Sequence, residues 1–421
     1  MASVRQRIVF ALLASFAAGL LTFALVAHLK DPSSGYDFMG FYRAGNLLKH
    51  RSRSHLYHES AHLSFQPRSF EPTMPVGVYD HPPFETLIYW ALAYLPYSTA
   101  YVLWDLLNLV MLGWSLYLLK PYATHFDTGS RLTLTLAILC PLIATLREGQ
   151  NQIVLLLTCV GAFVCLKKRR EFAAGGLLGA GLFRFQFVVP FLLVFLALKR
   201  WRIIFGAASA AALLAVVSLA LVGWAGIRDY VELLLTLSKG GAFPTLVPAM
   251  PNVRGFVDIL LAGRVAQRYM IALVVAGSLA LLAWPVIMWR WRNWDPGETA
   301  FDLLFSLSMV VCVMINYHSL IHSLIVLVLP ALLFLDYTAA AHPKGFERWR
   351  PMLPLNLLFL MTVFLNVEGE NRFSFLLVPI LWFASAISGE IPPARPQAGA
   401  ATRSSVGPVD AARDIGVHAA E

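Results

Sequence analysis

Long apolar runs separated by short polar links recur along nearly the whole chain. A membrane-crossing helix needs about 20 mostly apolar residues. Runs of that order stand at about 8–28, 98–119, 131–147, 151–166, 203–222, 269–289, 300–315, 320–337, 351–367 and 373–388. The stretch 172–198 is also apolar, but Arg184-Phe185-Gln186 interrupts it. It is too long for one ordinary span and predicts two short helices meeting at a polar corner. The run at 8–28 exceeds the usual signal-peptide core of about 7–15 residues, so a retained anchor is expected there.

Positive charge orients these runs. Residues 84–95 are apolar but short, and Pro82-Pro83 precedes them. If they lie on the outer side as a juxtamembrane helix, the cytoplasmic links are 120–131, 167–170, 199–202, 290–292 and 344–350. Nearly every dense basic cluster in a short loop then faces the cytoplasm. If 84–95 crosses, all of them flip outward, against the positive-inside rule. The pattern therefore predicts an all-α polytopic integral membrane protein with about 12 spans and both termini cytoplasmic. One transmembrane domain covers 1–388. A long first outer loop, 29–97, carries juxtamembrane helices, and a second outer loop, 223–267, holds an amphipathic stretch near 228–237. The tail, 389–421, is rich in Ala, Pro, Gly and Ser, and disorder is expected there.

Composition agrees with that reading. Of 421 residues, 58% are hydrophobic and 14% charged, against about 45–50% and about 25% in soluble domains. The net charge of +9 sits in the short basic links, so it marks topology and not a nucleic-acid partner. All four cysteines lie inside apolar runs, which argues against a disulfide framework or a zinc site.

Polar groups in hydrocarbon are costly, so their clusters at span ends are functional candidates. Under this topology six clusters share the outer side. Tyr36, Asp37 and Tyr42 open the first loop, where Asp37 is a site residue or a helix N-cap. Asp80 and His81 close that loop before the paired prolines, as a site or as a turn and cap. Arg147-Glu148-Gly149-Gln150-Asn151 forms a tight turn, in which Arg147 binds a phosphate or pairs with Glu148. Arg184 and Gln186 stand at the polar corner, where Arg184 meets an anion or a carboxylate such as Glu148. Asn252 and Arg254 flank a turn in the second loop. His318 and His322 are four apart and share a face if the region is helical, as proton-transfer groups or as polar lining. No metal is expected.

The ordered motifs resemble glycosyltransferase family 87, polyprenyl-phosphate-mannose-dependent mannosyltransferases of the GT-C superfamily. Residues 35–48 resemble its first-loop Asp-Phe-x-x-Phe-Tyr-x-Ala-Gly-x-Leu-Leu motif. Residues 80–97 with Trp104 resemble its Tyr-x-Pro-Pro-Phe … Leu-Pro-Tyr … Leu-Trp block. Gly149-Gln150-Asn151 resembles its Gly-Gln-x-Asn turn, and 174–179 with Gln186 its Ala-Gly-x-Leu-Leu-Gly … Lys-Pro-Gln region. Residues 250–255 and the surroundings of His322 extend the match to most of 8–388. Arg184-Phe185 stands where Lys-Pro is usual, and only one histidine of a Ser-x-x-His-His pattern is kept.

The resemblance implies a GT-C fold in the bacterial inner membrane. It implies inverting transfer of a hexose, mannose foremost, from a polyprenyl-phosphate donor to a hydroxyl of a lipid or glycan acceptor on the periplasmic side, without a cofactor. In that reaction Arg184, Arg147 and Arg254 are candidates to bind the donor phosphate. Asp37 and His322 are the contenders for the base. Tyr36, Tyr42, Asp80, His81, Glu148, Gln150, Asn151, Gln186, Asn252 and His318 are candidates for substrate contact. The competing readings are a transporter or flippase of a lipid-linked sugar, whose site would lie nearer the bilayer midplane, and a non-catalytic assembly subunit.

Overall fold

The computed structural model describes residues 35–50, 53–65, 79–238, 244–292, 294–367 and 372–392. The run at 8–28, residues 66–78 of the first outer loop and the tail from 393 lie outside the described residues. Among the described residues every regular element is helical. Those of at least eight residues are α1 (Tyr36–Lys49), α2 (Tyr97–Leu119), α3 (Thr128–Glu148), α4 (Gln152–Lys167), α5 (Glu171–Ala180), α6 (Phe185–Ala197), α7 (Trp201–Ser238), α8 (Val253–Leu261), α9 (Gln267–Arg290), α10 (Thr299–Ile315), α11 (Val328–Ala341), α12 (Leu353–Val367) and α13 (Leu377–Glu390).

Seven stretches among them are long and apolar enough to cross a membrane. They are Tyr97–Tyr122, Thr128–Glu148, Glu171–Ala197, Trp201–Leu237, Gln267–Arg290, Ile321–Ala341 and Phe373–Glu390. This is an integral membrane protein. Its outer helix faces fit that setting: Leu213, Val216, Ile271 and Leu279 are all more than half exposed, as suits side chains whose solvent is lipid. The described residues do not reach twelve crossings. One expected span lies outside them, and α4, α10 and α12 have 16, 17 and 15 residues. At 1.5 Å per residue each is about 22–26 Å long, short of a hydrocarbon core of about 30 Å.

The stretch 171–197 folds as the sequence predicts, as two short helices and not one rod. A 3₁₀ turn, Gly181–Arg184, separates α5 from α6. Glu171 at the start and Arg200 just past the end form an ion pair at 2.9 Å, so both ends of the hairpin lie together. α7 then rises beside α5. A Cβ on Gly175 would stand 1.9 Å from the Ile203 carbonyl oxygen, and one on Gly206 would stand 2.0 Å from that of Phe172. Small residues allow two backbones to approach this closely, a common device where helices meet in lipid. The obstructing atoms belong to backbone and cannot rotate away. Gly175→Ala is therefore expected to destabilise the fold by about 1–3 kcal/mol, read as a lower thermal midpoint of the detergent-purified protein.

α7 turns at Gly223 (φ 67), where the sequence ends a span at 222 and begins the second outer loop. The part beyond the turn packs on the first outer loop. His58 Nε2 lies 3.2 Å from Asp229, and the Tyr57 and Tyr230 rings are 5.1 Å apart.

Charge is distributed asymmetrically along the helices. At the helix ends that carry the basic links, cations meet acids: Lys167–Asp302 at 2.7 Å and Arg169–Asp295 at 2.8 Å at the end of α4, and Arg348–Asp127 at 2.8 Å between the start of α3 and the link before α12. The other end of α4 and the corner between α5 and α6 carry Gln150, Asn151 and Arg184. The basic links and the polar clusters thus occupy opposite ends of the helices.

Candidate functional site

One face of α2 holds the site's main turn. Tyr97, Tyr101, Trp104 and Asn108 recur at helical spacing, so their side chains share a stripe. The Tyr97 hydroxyl donates to the Gly35 carbonyl at 2.9 Å, and the Tyr101 hydroxyl to those of Leu146 (2.9 Å) and Arg147 (2.8 Å). Trp104 Nε1 donates to the Gly149 carbonyl at 2.8 Å, and Asn108 Nδ2 to that of Gln150 at 3.3 Å. Gly35 N donates to the Arg147 carbonyl at 2.8 Å, tying the start of α1 to the same turn. Gly149 ends α3 in a left-handed conformation (φ 66), and a Cβ there would stand 2.4 Å from the Phe38 Cβ. Only glycine fits both constraints.

The turn opens on a cavity of about 420 Å³. α1 contributes Asp37, Gly40, Phe41 and Arg43, and the segment leading to the paired prolines contributes Tyr79, Asp80 and His81. Ala144, Glu148 and Gln150 come from the α3 end, and Arg184 from the hairpin corner. His318, Leu320, Ile321 and His322 line the far side, with Leu246, Ala249 and Phe373. Seven segments separated by up to 336 positions in the sequence numbering, from Asp37 to Phe373, meet here.

Arg184 is the hub of the polar network. Its Nε and Nη2 donate to Asn151 Oδ1 at 2.9 and 2.7 Å, and Nη2 also donates to Gln150 Oε1. Gln150 Nε2 in turn donates to Asp37 Oδ2 at 2.5 Å. Asn151 Nδ2 donates to Glu85, whose other oxygen lies 2.8 Å from His81 Nδ1. His81 Nε2 stands 3.4 Å from Asp80. Arg184 is thus held by neutral amides, and the expected alternative of a salt bridge to Glu148 is not what forms. Among the described residues no carboxylate contacts the guanidinium at the cavity wall, and its Nη1 makes no hydrogen bond to them. Asp37 is not the helix cap either: Gly35 takes the N-cap position of α1, and the Asp37 carboxylate turns to Gln150.

The electrostatics follow from this enclosure. Burial pushes the Asp37 carboxyl above its ordinary range, against the hydrogen bond from Gln150 and the charge of Arg184, which pull it down. Burial pushes the His318 imidazole down, as do Arg184, Arg254 and His81, while Asp80 opposes them. His318 is accordingly neutral near pH 7, able to donate and to accept one hydrogen bond.

The other sequence candidates divide. Asp80, His81, Glu148, Gln150, Arg184, His318 and His322 line the cavity with Asp37, while Asn151 supports it from behind. Arg147, Arg254, Tyr42, Gln186 and Asn252 do not line it. The Arg147 side chain is exposed at the rim of the turn. Arg254 lies over the Tyr317 ring, 4.1 Å from its centroid. The Tyr42 hydroxyl donates to the Leu95 carbonyl at 2.8 Å. Asn252 caps α8 by accepting from Gly255 N at 2.8 Å and donates to the Asn316 carbonyl at 2.6 Å. The side chain of Tyr36 lies outside the described residues. The two histidines do not share a helix face, because α10 ends at Ile315 and the next turn is 3₁₀ from Ile321; they converge through the loop between.

Two polar residues escaped sequence reasoning. Arg43 is fully buried on α1 yet reaches the cavity lining, and Glu85 is fully buried behind His81. Both sit in otherwise apolar and aromatic stretches. A charge inside such a stretch was their one available signal.

The family model for glycosyltransferase family 87 matches residues 79–315, more than half of the chain. The chain belongs to glycosyltransferase family 87. It is a membrane glycosyltransferase, and a sugar donor and an acceptor are its substrates. The matched part of this family 87 enzyme contains Asp80, His81, Glu85, the turn at 147–151, Arg184 and Asn252-Val253-Arg254. Asp37, Arg43, His318 and His322 lie outside it and reach the cavity through the fold. Neither a curated protein nor a solved structure matches the chain.

Proposed function

We propose that this enzyme transfers a hexose, mannose foremost, from a polyprenyl phosphate to a hydroxyl of a lipid or glycan acceptor, with inversion. The observation that carries the reading is Arg184. A guanidinium braced by two amides, unneutralised and facing a cavity, suits a phosphate that gains charge as it leaves. Asp37 stands one amide away from it, through Gln150, and supplies the base.

The chemistry balances with these groups. The acceptor oxygen attacks the anomeric carbon on the face opposite the donor phosphate. The bond from that carbon to the phosphate oxygen breaks, and its electron pair leaves with the polyprenyl phosphate. The hydroxyl proton passes to the Asp37 carboxylate, so the donor's single negative charge becomes two on the phosphate monoester and the released proton accounts for the difference. Phosphate is a good leaving group, so no acid is required. His322 and the neutral His318 are placed to orient the acceptor or share its proton.

The positive-inside rule supports a cavity on the periplasmic side of a bacterial inner membrane, with twelve spans and both termini cytoplasmic. The test is transfer from radiolabelled polyprenyl-phosphate-mannose by the purified native chain. No transfer with any polyprenyl-phosphate hexose overturns the proposal. The base assignment also predicts a pH profile. Asp37 must be ionised to act, and burial raises its pKa. The rate is therefore expected to fall as pH drops through a value above the ordinary carboxylate range of about 3.9, measured at saturating donor.

A further inference from the structure

Glu85 is a charged residue without a solvent contact. Its relative exposure is 0%, and ionised carboxylates are strongly disfavoured in such places unless fully paired. The paired prolines set it there: the 3₁₀ turn Pro83–Glu85 follows extended Pro82, and Glu85 N donates to the Pro82 carbonyl at 3.1 Å.

The hydrogen-bond logic defines what it does. Arg184 has donors only, so the Asn151 atom facing it must be the amide oxygen. The Asn151 NH₂ must then point the other way, and it points at Glu85 Oε1. The second Glu85 oxygen faces His81 Nδ1 at 2.8 Å. Asn151 donates, and His81 does so in the tautomer that carries its proton on Nδ1, so an ionised Glu85 is satisfied on both oxygens. Glu85 does not itself line the cavity, whereas His81 and Arg184 do.

We infer that Glu85 is a positioning residue for the phosphate subsite: it locks the Asn151 amide in the one orientation that braces Arg184, and holds His81 at the wall beside it. The inference rests on the reading of Arg184 as the phosphate-binding group. Without Glu85, Asn151 gains freedom to turn its NH₂ toward Arg184, where two donors repel, and the guanidinium loses its seat.

The experiment is binding of polyprenyl monophosphate, the expected product, to the full chain in lipid nanodiscs. Binding needs no knowledge of the acceptor. Glu85→Ala is expected to weaken it about tenfold, as loss of positioning does at a distance from the ligand. Glu85→Gln is expected to restore binding to within about twofold of the wild type, since its amide oxygen still accepts from Asn151. A purely electrostatic role gives the opposite sign, because removing a buried negative charge near Arg184 would tighten anion binding in both variants. Asn151→Ala is expected to match Glu85→Ala, and decides the question if Glu85→Ala does not fold. In an Arg184→Ala background, Glu85→Ala is expected to cost nothing further. Unchanged or tighter binding in Asn151→Ala, or a multiplicative loss in the double variant, overturns the relay. Unchanged binding in Arg184→Ala alone overturns the phosphate reading beneath it, and is recognisable as a separate result.

Discussion

Asp37→Asn is expected to lower kcat for hexose transfer by about 10²–10⁴-fold, the range of a lost general base, with donor binding little changed. The substitution is close to isosteric, and the Asn oxygen can still accept from Gln150, which lies 2.5 Å away in the native site. The fold should not suffer. Burial raises the Asp37 pKa, so the folded state holds this proton more tightly than the unfolded state does. The stabilisation is complete below the unfolded pKa and is lost as pH rises through the raised folded value. Near neutral pH the ionised carboxylate is a cost that Asn removes. Asp37→Asn should therefore unfold at or above the wild-type temperature while being nearly inactive. Measured transfer and thermal midpoints check both halves; full activity in Asp37→Asn would move the base to another group, with His322 next in line.

Arg184→Ala is expected to lower kcat/KM for the donor by about 10²–10³-fold, the scale of removing one preorganised donor to developing charge. Inhibition by polyprenyl monophosphate should weaken in parallel, because product and transition state present the same phosphate. Arg184→Lys should recover part of the loss. An ammonium supplies the charge but not the planar fork that spans Gln150 and Asn151 at once. Arg184 and Asp37 share Gln150, so their effects are not independent, and the double variant is expected to lose less than the product of the single losses. Steady-state kinetics on the four proteins of that cycle test the coupling.

How much of this site was legible in the sequence depends on the residue. Arg184 was legible, since a cation breaking an apolar stretch must meet something. The turn at 147–151 was legible as a polar interruption between two apolar runs. Asp37 was legible as a candidate, but its helix-cap reading fell only when Gly35 proved to hold that position. Glu85 was hidden because residues 84–95 read as an apolar block, and Arg43 because aromatic neighbours dominate its stretch. Arg147 and Arg254 look equivalent to Arg184 along the chain. They differ only in where their side chains end, at the rim of the turn and over the Tyr317 ring.

The sequence by itself determined the properties that are local or cumulative. Helical apolar runs, the break of 172–198 at its corner, the end of a span at 222 and the separation of basic links from polar clusters all follow from the solvent each segment requires. Only the tertiary structure decided which polar groups touch. Hydrophobic periodicity places a side chain on a face or at an end, to within a helical turn. A hydrogen bond requires agreement to a few tenths of an ångström between residues as distant as Glu85, Asn151 and Arg184. That agreement comes from packing: the aromatic stripe of α2, the glycine contact of α5 with α7 and the left-handed turn at Gly149 together bring the seven segments to one cavity.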